Sequence, residues 1–401
     1  MEKSQRLIEL DFMRAVSALW VILIHLWLFY LLPYALKFTP PKNGVFGINM
    51  GRPLELGFEQ FFPLPLTNLG NFIFDILNIF CGLGYQAVHI FFVLSGFGLS
   101  YSKFFKPSES WFIFLKNRFL RIYPTYFVVF SLVILINIKK TIVPWSHISW
   151  KGFFFIVESV PYTWFMFPLV QLYIAFPILF YLLKRYSVLR FLITMFLVKF
   201  VGSLLVVTHW YPVSWMSLPF EPGLLGGISR VFEFSLGMAA AKVFFEDNEK
   251  LVKYLTNPKI IGLAAVCEVV GTLITFLRID IFNERFPIGL AICDAFIGFG
   301  IFVIVFNFSR LLKKLNLKVS KIILFISQFS YEMYLCQFIA LLFVEKLLAK
   351  YLNPVGPSLV MLLTIPIYSL AVGIDILASF IVQKITLFLT SRLSGAFRAL
   401  V

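Results

Sequence analysis

The residues best suited to chemistry lie in the first long apolar segment, Leu10–His25, which contains Arg14 and His25. Eleven positions separate these two residues, so on an α-helix they share one face and lie about 16 Å apart along the axis. Asp11 lies one turn before Arg14 and can pair with it. Apolar surroundings favour the uncharged imidazole, which is the form that a general base requires. The alternative for His25 is a packing histidine that is hydrogen-bonded across a helix bundle.

Small residues interrupt a second apolar segment, Val88–Tyr101, at Ser95, Gly96 and Gly98. Small side chains in a membrane helix allow another helix or a ligand to approach the backbone closely. A nucleophilic Ser95 needs an activating group, and the nearest candidate in the sequence is His89. Close helix packing and a ligand site therefore both remain open for this segment.

Two arginines, Arg118 and Arg121, occur in the segment Lys116–Tyr126. They are three positions apart and share a helix face. Paired guanidinium groups suit phosphate, because each presents a planar fork of N–H donors. The excess of basic residues at the cytoplasmic ends of membrane helices explains the same pair equally well. Spacing alone does not decide between an anion clamp and a topology signal.

Other polar side chains stand inside or beside apolar segments, where a charge costs roughly 2.5–3.5 kcal/mol. Arg230 and Glu233 are three positions apart and can satisfy one another. Glu158 and Glu221 are placed where a substrate arriving from the outer side would meet a carboxylate. The four histidines show no H-E-x-x-H spacing, the cysteines show no CxxC spacing, and no P-loop motif occurs. The sequence therefore indicates no metal site and no P-loop ATPase.

The elements that position these residues are membrane helices. The chain has 401 residues, 60% of them hydrophobic and 14% charged, whereas soluble domains are about 45–50% apolar and about 25% charged. Apolar segments long enough to cross a bilayer predict an all-α, polytopic integral membrane bundle of about ten transmembrane helices. These segments are 10–32, 73–101, 123–138, 164–183, 189–208, 227–245, 260–278, 287–308, 322–348 and 358–386.

The placement of charge predicts that both termini are cytoplasmic. With the N-terminus inside, the inner loops and tails hold about 22 of the 35 Lys and Arg residues, and the outer loops about 9. The formal charge of +15 is mainly a topology signal and indicates no nucleic-acid partner. We expect residues 1–401 to form a single membrane domain of a multi-pass cell-membrane protein, with no separate soluble domain. A Pro- and Gly-rich outer loop is expected at about 33–72.

Six segments of the chain, in order, are similar to a known family. The N-terminal signature of the acyltransferase 3 family resembles RLIELDFMRAVSALWVILIH, VHIFFVLSGFGLSY and FLKNRFLRIYPTY. Later segments of that family resemble YTWFMFPLVQLYIAFPIL, RVFEFSLGMAAA and FISQFSYEMYL. The resemblance covers nearly the whole chain. It implies a membrane enzyme that moves an acyl group, commonly acetyl from acetyl-CoA, onto hydroxyls of sugars, glycans or lipid-linked acceptors.

The resemblance also implies roles for particular residues. His25 matches the catalytic histidine of the first helix, and Arg14 matches the arginine of the same helix. Arg118 and Arg121 match a pair that holds the CoA donor at the cytoplasmic face. Ser95–Gly96 matches the family's Ser-Gly element, with Ser95 on the donor side.

Two positions depart from the family pattern. His89 stands where members often have a carboxylate, and Gln337 stands where many have a histidine. These departures leave the identity of the acceptor open. The resemblance and the spacing together make Asp11, Gly96 and Tyr123 candidate supporting residues.

The expected reaction is direct acyl transfer, in which an acceptor hydroxyl gives its proton to His25. Acetyl-CoA or another acyl-CoA is then a co-substrate, and no permanently bound cofactor is expected. The acceptor is expected to be a carbohydrate, a glycan or a lipid-linked molecule, with Glu158, Trp164 and Glu221 on its side. The alternative is a transporter or flippase for a glycan or small anion, which would use the same intramembrane charges as a substrate path.

Overall fold

The structure is a computed structural model that describes residues 7–27, 68–139, 162–209, 226–277, 287–313, 317–351 and 357–399, together with residues 31, 148 and 160. Every regular element in these ranges is a helix, which confirms the predicted all-α class. Most of the predicted outer loop at 33–72 lies outside the described residues. Its last four positions belong to a helix that begins at Leu69.

The helices are numbered in chain order. The first eight elements are α1 (Ile8–Leu26), α2 (Leu69–Gly82), the short 3₁₀ helix η1 (Leu83–Gln86), α3 (Ala87–Phe105), α4 (Trp111–Lys139), α5 (Met166–Arg185), α6 (Val188–His209) and α7 (Gly226–Ser229). The others are α8 (Val231–Glu246), α9 (Asn248–Leu255), α10 (Pro258–Leu277), α11 (Pro287–Lys313), α12 (Leu317–Gln328), α13 (Ser330–Tyr351) and α14 (Pro357–Ala399).

Among the described residues, six helical stretches are long and apolar enough to cross a membrane, and a seventh is obtained if a bent pair counts as one span. The chain is therefore a multi-pass membrane protein. Three of the ten predicted spans are not among these stretches, namely 10–32, 189–208 and 227–245, and two of the three fall short for physical reasons. The helix α8 has 16 residues, fewer than the roughly 20 that a bilayer requires. The helix α1 carries Glu9, Asp11 and Arg14 in its first two turns.

The boundaries of three predicted spans differ from the structure. The segment predicted at 73–101 is a helical stretch, Leu69–Phe105, that contains the 3₁₀ turn η1. The segment predicted at 123–138 is longer, because α4 begins at Trp111 and continues through Pro124. The segment predicted at 322–348 is bent by 82° between α12 and α13.

The helix α1 lies inside the bundle, where it packs against α3, α11, α12 and α13. Its buried side chains include the apolar Phe12 and Met13 as well as the acidic Glu9 and Asp11. A helix whose polar and apolar side chains are both covered by neighbours is an interior helix. The helices α10 and α14 instead expose many large apolar side chains, as a lipid-facing helix does. The first helix is thus placed to carry a site that other helices enclose.

The helices α3 and α8 cross in close contact at Gly96 and Gly237. A methyl group added to Gly96 would lie 1.9 Å from the carbonyl oxygen of Phe234. One added to Gly237 would lie 1.8 Å from the carbonyl oxygen of Val93. Backbone therefore packs directly on backbone, which only glycine allows at such a crossing.

Candidate functional site

A cavity of about 700 Å³ brings together donor-side candidates from three helices. Arg14 of α1, Ser95 of α3, and Arg118 and Arg121 of α4 all line it. We call this space the basic cavity. Three guanidinium groups in one cavity form a site for an anion with several charged oxygens, such as a diphosphate. The anion-clamp interpretation of Arg118 and Arg121 requires that both side chains reach one cavity, which they do, and it stays a prediction.

Acidic side chains in the basic cavity limit its positive charge. The Nη1 atom of Arg14 donates to Oδ1 of Asp11 at 3.2 Å, which confirms the predicted pair. Asp11 is buried, whereas about a third of the Arg14 side chain is exposed. The carboxylate therefore holds the guanidinium at the cavity wall without covering it. Glu332 of α13 also lines the cavity.

Ser95 lies in the cavity wall beside Tyr173 of α5, and the two side chains are hydrogen-bonded. Its proposed activator in the sequence, His89, is directed elsewhere and contacts Glu233 of α8. The structure therefore gives Ser95 a place in the cavity wall but, among the described residues, no histidine base. Gly98 also lines the cavity, and a methyl group there would lie 3.9 Å from Arg14 Nη2.

The other two supporting candidates, Gly96 and Tyr123, take part in helix packing. Gly96 faces α8 at the helix crossing and does not line the basic cavity. Tyr123 packs, partly buried, against the main apolar core. Its neighbour Ile122 lines the cavity, and the Ile122 carbonyl accepts a hydrogen bond from the Tyr331 hydroxyl at 2.9 Å.

His25 lies at the end of α1 farther from Arg14, outside the lining of the basic cavity. Its Nδ1 atom is 2.8 Å from Oε1 of Gln337 on α13. The Nε2 atom of Gln337 donates to the carbonyl of Tyr334 at 2.9 Å, and this bond fixes which amide atom faces His25. Since Oε1 can only accept, Nδ1 of His25 carries the proton and Nε2 carries the lone pair. His25 therefore has the tautomer of a base that acts through Nε2.

The aromatic ring of Tyr162 lies against His25, with ring centroids 4.4 Å apart. Tyr162 is buried, and its φ of 64° is the one positive value for a non-glycine residue in the described ranges. Left-handed backbone at a bulky residue is uncommon and costs free energy that the surrounding structure must offset. Contacts with the ring hold the imidazole plane from one side, while Gln337 holds its edge.

Tyr334 connects His25 to the basic cavity. Its side chain lines the cavity, and its carbonyl accepts the hydrogen bond from Gln337. Its hydroxyl accepts a hydrogen bond from the backbone N–H of Phe165 at 3.3 Å. A path of two residues, Tyr334 and Gln337, thus joins the anion-binding space to the imidazole.

A second polar cluster, which we call the buried charge cluster, consists of His89, Lys199, Arg230, Glu233 and Asp294. Arg230 Nη1 lies 3.2 Å from both Glu233 Oε1 and Asp294 Oδ2, which confirms the predicted pairing of Arg230 with Glu233. His89 Nδ1 is 3.1 Å from Glu233 Oε1, and Lys199 Nζ is 3.8 Å from Asp294 Oδ2. Buried charges persist only when they are paired in this way.

Trp164, the acceptor-side candidate, contacts the buried charge cluster. The guanidinium carbon of Arg230 lies 5.6 Å from the centre of the Trp164 ring, within the range of a cation–π interaction. Only Thr163 separates Trp164 from Tyr162 in the chain, so one short segment touches both His25 and Arg230. Glu158 and Glu221 lie outside the described residues.

Sequence reasoning missed Gln337, Tyr162, Tyr173 and Tyr334 as parts of the site. Each is an uncharged residue in an apolar segment, and helix spacing cannot indicate which distant helix it meets. The family resemblance singled out Gln337 because it departs from a histidine, and that signal could have placed it near His25.

Comparisons with known proteins gave one family match. A family model described as an acyltransferase domain, that of the acyltransferase 3 family, matches residues 7–382. This range is nearly the whole chain. No curated protein and no solved structure matched. The matched range includes His25, Arg14, Arg118, Arg121 and Gln337.

Proposed function

The chain belongs to the acyltransferase 3 family, and on that basis we propose that it transfers an acyl group, by default acetyl, from acyl-CoA to an acceptor hydroxyl. The acceptor is a carbohydrate, a glycan or a lipid-linked molecule. The observation that carries the proposal is the connection between the three-arginine cavity and His25 through Tyr334 and Gln337. An anion-binding space beside an oriented base is what transfer from a phosphorylated donor requires.

The donor binds in the basic cavity. Arg118 and Arg121 take the phosphate groups of CoA, and Arg14, held by Asp11, completes the positive wall. Arg14 and His25 lie on one continuous helix, eleven positions apart. The resulting rise of about 16 Å is of the order that a pantetheine arm spans. The thioester can therefore reach His25 while the phosphates stay with the arginines.

The chemical step takes place at Nε2 of His25. The acceptor hydroxyl gives its proton to Nε2, its oxygen bonds to the thioester carbonyl carbon, and the carbon–sulfur bond breaks. The imidazolium then returns the proton to the CoA thiolate, so CoA leaves as the thiol. General-base assistance of this kind accelerates a reaction about 10²–10⁴-fold.

The proposal includes a topology. About ten crossings of the plasma membrane with both termini in the cytoplasm would place Arg14, Arg118 and Arg121 near the cytoplasmic side, where acyl-CoA is present. His25 then lies farther into the membrane, toward the side from which an extracytoplasmic acceptor would come. Trp164, which touches Arg230 beside the segment that packs on His25, is placed to meet that acceptor.

The experiment that tests the proposal uses purified full-length protein in lipid nanodiscs with acetyl-CoA labelled in the acetyl group. We expect acetyl-CoA to raise the thermal unfolding midpoint by mass action and to be consumed slowly by hydrolysis or by transfer to added sugars. If no acyl-CoA offered is bound or consumed, the proposal is wrong and the transporter alternative takes its place.

A further inference from the structure

One wall of the basic cavity comes from a part of the chain that the family match does not cover. The match ends at residue 382, whereas α14 continues as a helix to Ala399. Four residues after that limit line the cavity: Gln383, Thr386, Leu387 and Thr390.

The spacing of these four residues places them on one face of α14. Their offsets of three, four and seven positions are the repeat of a helix face. Gln383, Thr386 and Thr390 are half-buried, whereas Ile385 and Phe388 on other faces of the same stretch are exposed apolar side chains. A helix that is otherwise lipid-facing thus turns a polar stripe toward the cavity.

The hydroxyl of Thr386 stands out within this stripe. Its Oγ1 atom is enclosed and has no hydrogen-bond partner among the described residues. Gln383 is hydrogen-bonded to Glu332, and the Thr390 hydroxyl donates to the carbonyl of Thr386 at 2.9 Å. A buried hydroxyl without a hydrogen-bond partner lowers the stability of the protein. A ligand that hydrogen-bonds to this hydroxyl removes that cost and is therefore bound preferentially.

We propose that the face of α14 formed by Gln383, Thr386, Leu387 and Thr390 is the uncharged wall of the donor site, and that Thr386 hydrogen-bonds an amide or hydroxyl group of the acyl-CoA. This inference rests on the proposed function, because it assigns part of the same cavity. The arginines of α1 and α4 match the phosphates of the donor. The stripe on α14 carries no charge on its cavity side and so matches uncharged polar groups of CoA, such as its amides and hydroxyls.

The test compares Thr386→Val, which removes the hydroxyl at nearly constant volume, with Thr386→Trp, which fills the cavity. Ser391→Ala is the matched control, because Ser391 is an exposed residue of the same helix that does not line the cavity. Steady-state kinetics with acetyl-CoA are measured at low and high salt, and each variant is checked by thermal unfolding without ligand.

We expect Thr386→Val to raise KM for acetyl-CoA roughly three- to tenfold, the effect of one lost hydrogen bond, with kcat unchanged. The rise should be the same at both salt concentrations, since the contact involves no charge. Thr386→Trp should abolish acetyl-CoA binding, and Ser391→Ala should behave as wild type. If folded Thr386→Val and Thr386→Trp proteins both keep the wild-type KM, the inference is wrong and the proposed function stands. If wild type itself neither binds nor consumes acetyl-CoA, the proposed function fails and this inference with it.

Discussion

Gln337 accepts a hydrogen bond from Nδ1 of His25 at 2.8 Å, and its own amide nitrogen is held by the Tyr334 carbonyl. The two residues are 312 positions apart in the chain. The amide cannot exchange a proton with the imidazole as a histidine could. In the proposed mechanism Gln337 therefore positions the base and sets its tautomer, and His25 alone moves the proton.

The first prediction concerns this positioning. Gln337→Leu removes the side-chain acceptor that holds Nδ1 of His25, a loss of roughly 1–3 kcal/mol. We expect kcat to fall about 5- to 160-fold at that cost, with KM for acetyl-CoA nearly unchanged. Gln337→Glu offers an acceptor in the same place and should keep much more activity than Gln337→Leu. Equal losses in both variants would show that Gln337 acts only through packing.

The second prediction concerns the base itself. His25→Gln removes the basic nitrogen but keeps a polar side chain of similar size. Turnover should fall by about 10²–10⁴-fold, the contribution of a general base. Binding of acetyl-CoA, measured by calorimetry, should stay within a few-fold of wild type, because His25 does not line the basic cavity. Near-normal acylation by a folded His25→Gln protein would eliminate the direct-transfer mechanism.

The third prediction separates the anion clamp from the topology signal. Arg118→Ala/Arg121→Ala should weaken acetyl-CoA binding strongly and reduce its dependence on salt, since the lost contacts are charged. Lys116→Ala is the control: it removes a positive charge from the same turns of α4 but does not line the cavity. If the double variant and the control weaken binding equally, the arginines act only through overall charge.

The sequence was sufficient to predict the relative positions of residues that lie on the same helix. Arg14 and His25 share α1, and Arg118 and Arg121 share a face of α4, because helical spacing is a local property. Charged residues near the ends of helices made the predicted limits of the spans inaccurate. The third predicted span began at 123, yet the corresponding helix α4 begins at Trp111 and carries its arginines within the helix.

What the sequence could not supply are contacts between helices that are distant in the chain. Nothing local indicates that Gln337 meets His25, or that Tyr162 lies on its ring. The sequence also left open whether the small residues Ser95 and Gly96 serve helix packing or ligand binding. In the structure the two residues differ: Gly96 packs on α8, whereas Ser95, one position before it, lines the basic cavity.

The fourth prediction concerns this helix crossing. Gly96→Ala would place a methyl group 1.9 Å from the Phe234 carbonyl oxygen, so α3 and α8 must separate. We expect a lower thermal unfolding midpoint, consistent with the roughly 1–3 kcal/mol that overpacking costs. Gly262→Ala is the matched control, because nothing lies within 4 Å of the added methyl group on α10. A Gly96→Ala protein as stable as the Gly262→Ala protein would show that the two helices are not in backbone contact.

The fifth prediction concerns the buried charge cluster and the departure from the family at His89. His89 lies 3.1 Å from Glu233, 3.8 Å from Asp294 and 3.3 Å from Arg230, so an acidic residue in its place would face two carboxylates and one guanidinium. Because Arg230 already pairs with both carboxylates, His89→Asp adds a third buried carboxylate without adding a cation, and it should destabilise the protein by several kcal/mol.

The same contacts predict which second change would relieve the first. Arg230 and Lys199 offset two carboxylates in the cluster as it stands. Glu233→Gln in the His89→Asp background returns the number of carboxylates to two, so the double variant should unfold at a higher temperature than His89→Asp alone. The measurement is a double-mutant cycle of thermal unfolding midpoints in one detergent. Simple addition of the two single effects would mean that His89 and Glu233 do not interact, whereas recovery would identify Glu233 as the carboxylate that stands in for the one missing at position 89.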